Sequence, residues 1–200
     1  MKSHIHYTDD YNKLVKQIDP NLKVSEYRLS GLVLPLRNSD GDLFGCQLRV
    51  LTEGDFRYKT IMFDENQQKS YGWEFLENGR KINVFEGAFD SMFVKNSVAS
   101  LDSSLHSGLE KTKIPLQQFH LWYDAEPYNK QLMKQKLNSI NLGYSVAFYC
   151  TEFYKNSKDL NGLIQKLGMD RAREVIKKTQ FYKGNKAKFQ LKMESLGRFL

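Results

Sequence analysis

Apolar positions along the chain follow two rhythms that change near residue 80. In the first stretch, Tyr11, Leu14, Val15 and Ile18 recur at helical spacing within 8–18, and Asp19-Pro20 closes that segment. After it, "GLVLPLRNSDGDLFGCQLRVL" (31–51) reads as two strands joined by a turn at Asn38–Asp42, where Asn, Ser, Asp and Gly supply turn chemistry. "YKTIMF" is a further strand, and "SYGWEF" contains an aromatic turn. Short connections of this kind predict antiparallel pairing.

From Ile82 onward, strands alternate with helical segments. "INVF" is followed by a helix over 88–95, then by a short strand "SVASL" and a connection over 109–118. "FHLWYD" precedes a helix over 127–141 with Pro127 at its start, and Gly143 stops that helix before the strand "YSVAFYC". Residues 159–167 and 169–179 have helical spacing. Strand–helix alternation predicts parallel strands with helices on the faces of the sheet. The expected fold class is therefore α/β, with a mainly antiparallel N-terminal subdomain (1–80), a parallel-sheet domain (81–168) and a basic helical tail (169–200).

Composition narrows the setting. The 200 residues are 40% hydrophobic, enough for one good core, or for one core with a smaller lobe. No apolar run approaches the roughly 20 residues needed to cross a bilayer. The start "MKSHIHYTDDYNK" has no apolar leader stretch, so an intracellular, cytoplasmic protein without a membrane partner is expected. Cys46 and Cys150 read as buried thiols, and His4, His6, His106 and His120 are scattered, so no zinc site is expected within the chain. The net charge is +7, and residues 169–200 hold nine Lys and Arg against three Asp and Glu. A basic end of this kind suits a polyanion.

The carboxylates carry the chemistry. Ligand sites in parallel α/β sheets lie at the carboxyl ends of the strands. Glu86 ends one strand and is followed by Gly87, which is expected to turn the backbone and keep the space above Glu86 open. Asp90 follows about one helical turn later and can face the same cleft. Asp124 ends another strand with Glu126 two residues on, and Asp159 starts a helix after a third. Taken singly, each acid could equally be a helix cap or a surface charge. Together they place hard oxygen donors along one sheet edge, a set that suits Mg²⁺ or Mn²⁺ and phosphoryl or nucleotidyl transfer, or phosphodiester cleavage.

The segments "VFEGAFD", "LWYDAEP" and "SKDLNGLI" resemble the motifs of a Toprim domain. The likeness runs over about 31–180 and is greatest to the phage DNA primases of the T-even type. "GLVLPLRNSDGDLFGCQLRVL" is similar to the strand–turn–strand that opens their catalytic core, with Arg49 as its basic residue. "FRYKT" is similar to the next basic-aromatic motif, with Arg57-Tyr58 in place of the usual Lys-Tyr, and "KSYG" to the turn that follows. Two positions depart from the pattern: Gly31 stands where relatives often have Arg, and Leu48 where a glycine is common. The chain also lacks the zinc-binding module that precedes such cores.

The resemblance implies RNA primer synthesis on a single-stranded DNA template from ribonucleoside triphosphates, alongside a replicative helicase and with a separate zinc-binding protein for template recognition, in the cytoplasm of a phage-infected bacterium. It implies that Asp124 and Glu126 hold divalent ions with help from Asp159, and that Glu86 completes the cluster or moves a proton, oriented by Asp90. Arg49, Arg57 and Lys59 would face the triphosphate or template. Lys130 and Lys134, four apart on one helix, would follow phosphates. Tyr58, Tyr71 and Trp73 stand near the basic motifs, where they could stack on bases or pack in the core. Two other readings stay open: a Toprim nuclease, and a non-catalytic protein that binds nucleic acid or a helicase.

Overall fold

The structure, a computed structural model, describes residues 5–24, 27–51, 57–102 and 104–199. His4 and Phe56, named above, lie outside them. The chain divides into two compact units, Met1–Phe75 and Leu76–Leu200.

The first unit is an antiparallel sheet with a helix against it. β1 (His6–Thr8), β2 (Gly31–Arg37), β3 (Leu43–Val50) and β4 (Tyr58–Met62) lie in that order. The turn chemistry at 38–42 works as expected: the Asn38 side-chain oxygen accepts from the backbone N–H groups of Asp40 and Asp42. Helix α1 (Tyr11–Ile18) is capped by Asp10, whose carboxylate accepts from the Lys13 N–H at 3.0 Å. Its apolar stripe delivers Tyr11 and Val15 to a core of Val33, Cys46, Leu48 and Val50. The Tyr11 hydroxyl donates to the Cys46 carbonyl at 2.9 Å, which satisfies a buried polar group.

Gly31 has a steric role here. A Cβ at that position would run into the Arg49 carbonyl oxygen and sit 2.9 Å from its carbon, because β2 and β3 pair there. A side chain at residue 31, arginine included, does not fit this pairing.

The second unit is a five-stranded sheet in the order β6-β5-β7-β8-β9. β5 (Ile82–Phe85) pairs parallel with β6 (Ser97–Ala99) and with β7 (Phe119–Trp122), and β7 pairs parallel with β8 (Ser145–Phe148). These runs are mostly buried on both faces, as covered parallel strands are. The helical segment after β5 is shorter than its spacing suggests: α2 covers Ala88–Ser91. α3 (Lys130–Asn141) starts after Pro127, because Asn129 is the residue whose side chain caps it, accepting from Leu132 N–H. Gly143 follows α3 with φ 94°, a left-handed residue that ends the helix. α4 (Thr151–Asn156), α5 (Leu160–Leu167) and α6 (Met169–Ile176) lead to β9 (Gln180–Tyr182), which pairs antiparallel with β8, and then to α7 (Gly184–Ser195).

α7 is bound to α3 by a buried ion pair. Lys136 Nζ donates to Glu194 at 2.7 Å, and both side chains are almost fully buried. The Tyr154 hydroxyl also bonds this carboxylate, and the ammonium sits 4.2 Å from the centre of the Phe148 ring. Burial pushes the Lys136 ammonium down, and the Glu194 carboxylate opposes that. Lys136 therefore does not share the exposed face of Lys130 and Lys134. Cys46 and Cys150 are free and buried. Among the described residues, no helix is long and apolar enough to cross a membrane.

Candidate active site

The carboxyl ends of β5 and β7 and the start of α5 meet at a narrow cavity lined by Glu86, Asp90, Asp124 and Asp159, with Phe85, Trp122, Tyr123, Tyr149 and Leu160 as its walls. Topology gathers them: β5 and β7 are parallel neighbours, with Phe85 paired to Trp122, so the residues that follow both strands emerge on one edge.

Asp90, Asp159 and Glu126 are anchored by separate donors. Asp90 Oδ1 accepts from the Asn161 N–H at 2.7 Å, joining segments 71 residues apart. Asp159 Oδ1 accepts from the Gly162 N–H at 2.6 Å, so it caps α5 while lining the cavity. Glu126 sits beside the cavity; it accepts from Asn129 Nδ2 at 2.8 Å and pairs with Lys158 Nζ at 3.3 Å. Glu86 is exposed at the rim. Its carbonyl accepts from the Leu101 N–H at 3.2 Å, and Leu101 holds a left-handed φ of 51° that is uncommon for a leucine.

Gly87 acts differently from expectation. Its backbone is extended at φ −97°, so no glycine-specific turn is made. A Cβ there would lie 2.9 Å from Asp90 Oδ2, so the glycine leaves room for the carboxylate.

The electrostatics record crowding. Asp124 is pushed up to about 7, first by burial and then by Glu86, Asp90 and Asp159, with Lys158 opposing. Asp90 rises to about 6 through burial, against the Asn161 N–H and with Asp159 adding repulsion. Glu86, open to solvent as a residue but with its carboxyl partly desolvated in the cleft, is raised by that desolvation and then by Glu126, with Lys158 opposing. Glu126 is lowered by its bond from Asn129. Tyr149 donates its hydroxyl to the Tyr123 carbonyl at 2.6 Å beneath the cluster. Among the described residues, no three Asp, Glu, His or Cys side chains stand together as a ready chelate. Asp90 and Asp159 are each turned to a backbone N–H, and Glu126 to Asn129 and Lys158.

Lys158 is the residue the sequence reading missed. Its carbonyl accepts from the Ala125 N–H at 2.6 Å, and its ammonium faces Glu126, Asp124 and Asp159. Its place directly before Asp159 in "SKDLN" was the available signal.

The basic candidates of the first unit cluster around the end of β3 and the start of β4. Arg49 pairs with Tyr58 across the strands, and its guanidinium lies 4.7 Å from the ring centre. Lys59 Nζ donates to Asn12 Oδ1 at 3.1 Å. Arg57 is exposed beside them, with its carbonyl accepting from Val50. Tyr71 is buried and Trp73 donates to Ser70, so both belong to the packing of this unit. Lys130 and Lys134 are exposed on α3.

This fold is that of the catalytic core of DNA primases. The chain superposes on the Aquifex aeolicus primase (zinc-binding and RNA polymerase domains) with a TM-score of 0.60 at 19% identity, over 89% of this chain and 51% of that one. It superposes on the E. coli primase catalytic core with a TM-score of 0.60 at 15% identity, over 88% and 67%. A DnaG primase catalytic domain bound to single-stranded DNA gives 0.59 at 15% identity, over 88% and 66%. In sequence, the chain is 29% identical over 167 residues to the DNA primase of Enterobacteria phage T4. That match covers 82% of this chain and 47% of the T4 protein, so the chain spans about half the length of this relative. No protein-family model matches the chain.

Proposed function

We propose that the chain is a primase catalytic core, which joins ribonucleotides on a single-stranded DNA template by divalent-metal-dependent nucleotidyl transfer. The observation that carries this reading is the convergence of Glu86, Asp90, Asp124 and Asp159 on one cavity of a primase-core fold. The donor set fits Mg²⁺ or Mn²⁺, since every group is a hard oxygen and their mutual repulsion is what a cation relieves. Asp124 and Glu126 would hold it, with Asp159 beside them. A cation held there would supply positive charge to offset that of the triphosphate and of the pyrophosphate leaving group.

The chain's own residues do the rest. Glu86, raised and at the rim, takes the proton of the attacking 3′-hydroxyl as its oxygen bonds the α-phosphorus. Asp90, fixed by the Asn161 N–H, keeps negative charge behind Glu86. Lys158 balances the cluster from its outer side. Arg49, Arg57 and Lys59 bind phosphates of the triphosphate or template, and Lys130 and Lys134 follow the nucleic-acid backbone. A phage-infected cell is the setting that the T4 relative suggests, and a replicative helicase is the partner this reading calls for.

Labelled ribonucleotide incorporation on single-stranded DNA with Mg²⁺ or Mn²⁺, with and without the helicase, tests the reading. Incorporation should fall sharply in Glu86→Gln and Asp124→Asn. Cleavage of DNA or RNA without incorporation would make the protein a nuclease, and DNA binding with neither activity would make it a binding module.

A further inference from the structure

Glu126 also lines a second cavity of about 470 Å³, together with Tyr128, Tyr154, Lys155 and Phe199 among others. Its volume falls in the range of small-ligand sites. All of its walls belong to the second unit: the loop before α3, the helix α4 and the segment after α7.

The walls are built in three ways. Tyr154 and Phe199 stack face to face, with centroids 3.9 Å apart and planes at 22°. Tyr154 is held further by its bond to the buried Glu194, so this aromatic wall is tied to the Lys136 ion pair. Tyr128 stands in the loop with 75% of its surface exposed, and its hydroxyl lies beside Gly197 in the segment after α7. Glu126 forms the remaining edge, with one oxygen held by Asn129 and the other by Lys158, so the carboxylate is oriented before any ligand arrives. Lys155 adds a cation.

Aromatic faces beside an ammonium and an oriented carboxylate suit a ligand with a flat ring at one end and cation-bound phosphates at the other. Amino-acid side chains and lipids lack that combination, whereas a nucleoside triphosphate has it. We propose that this cavity is the subsite for the base and sugar of the incoming ribonucleotide, with Tyr128 as the stacking platform. The proposal rests on the nucleotidyl-transfer reading, in which Glu126 shares a cation with the triphosphate. Stacking is tolerant of base identity, since every base has a π-face, so the subsite would accept all four nucleotides and leave choice to the template.

The test is binding, measured by isothermal titration calorimetry with Mg²⁺ and either α,β-methylene-ATP or inorganic tripolyphosphate. Tyr128→Ala should weaken α,β-methylene-ATP about tenfold, which corresponds to about 1.4 kcal/mol. Tyr128→Phe, which keeps the ring, should stay within about twofold of the wild type. Tripolyphosphate should bind all three proteins alike. Unchanged α,β-methylene-ATP binding in Tyr128→Ala overturns the subsite, and so does a loss that extends equally to tripolyphosphate. If the wild type still incorporates ribonucleotides in that case, only the subsite falls. A wild type that binds neither ligand and incorporates nothing brings down the nucleotidyl-transfer reading with it.

Discussion

In the first unit each strand runs opposite to its neighbour, so the end of β3 meets the start of β4, and Arg49 comes to lie over Tyr58, which is close by in sequence. In the second unit β5, β7 and β8 run the same way, and their ends collect on one edge from segments far apart along the chain. Asp90 and Asn161 are bonded across 71 residues; in the first unit's basic cluster Lys59 reaches Asn12 across 47, but Arg49 and Tyr58 meet within one hairpin. An antiparallel meander concentrates local sequence, whereas a parallel sheet concentrates distant sequence. The cationic motifs of one unit are consequently readable as contiguous strings, and the anionic site of the other is readable only through the parallel topology that strand–helix alternation predicts.

Removing single groups sharpens this contrast. The largest expected effect is in the second unit: Glu194→Ala leaves the Lys136 ammonium buried without its partner and should cost about 3–5 kcal/mol in denaturant unfolding. Adding Lys136→Met to Glu194→Leu should recover most of it; a double variant as unstable as the single one would show that packing, not the stranded charge, is at stake.

Asp124→Asn should reduce incorporation about 10²–10³-fold, the scale of losing one preorganised electrostatic group. It should do so without destabilising the fold, because it removes a repelled carboxylate. The pH dependence follows from the same residue. The folded state holds the Asp124 proton up to about 7, whereas an unfolded aspartic acid releases it near 4. Across that window the folded state binds more protons, so the stability contribution falls as pH rises, then levels off above 7. Metal-free melting curves should therefore show Asp124→Asn gaining on the wild type from about pH 4 to about pH 7, and Mg²⁺ should close the gap. A gap that does not change with pH would contradict the crowding at this site.

In the first unit, Gly31→Ala should cost about 1–3 kcal/mol through overpacking against Arg49, with faster hydrogen exchange along β2 and β3. The smallest effect belongs to Tyr58→Ala: loss of the contact with Arg49 should remove about 0.5–1 kcal/mol by chemical denaturation.

Much of this was legible beforehand for identifiable reasons. Strand positions followed from apolar rhythm, and the acids from their places at strand ends. The reasons for particular residues were harder to read. Gly87 suggested a turn, yet what it leaves room for is the Asp90 carboxylate. The burial of Lys136 had no local sign, because nothing in "KQLMKQK" shows where α7 docks. Lys158 was hidden for a similar reason: its meaning depends on Glu126, which lies on another loop. Side chains whose role is set by a partner far along the chain carry little signal of their own.

The Lys136–Glu194 pair also dictates how the basic terminal stretch can be interrogated. Deleting residues 183–200 would strip away Lys183, Lys186, Lys188, Lys192 and Arg198, but would also expose an aliphatic seam and strand an ammonium inside the molecule. A truncated protein that no longer binds DNA would then report collapse as readily as lost affinity. Charge-neutral replacements at the four solvent-facing lysines, with residue 194 untouched, separate the two causes.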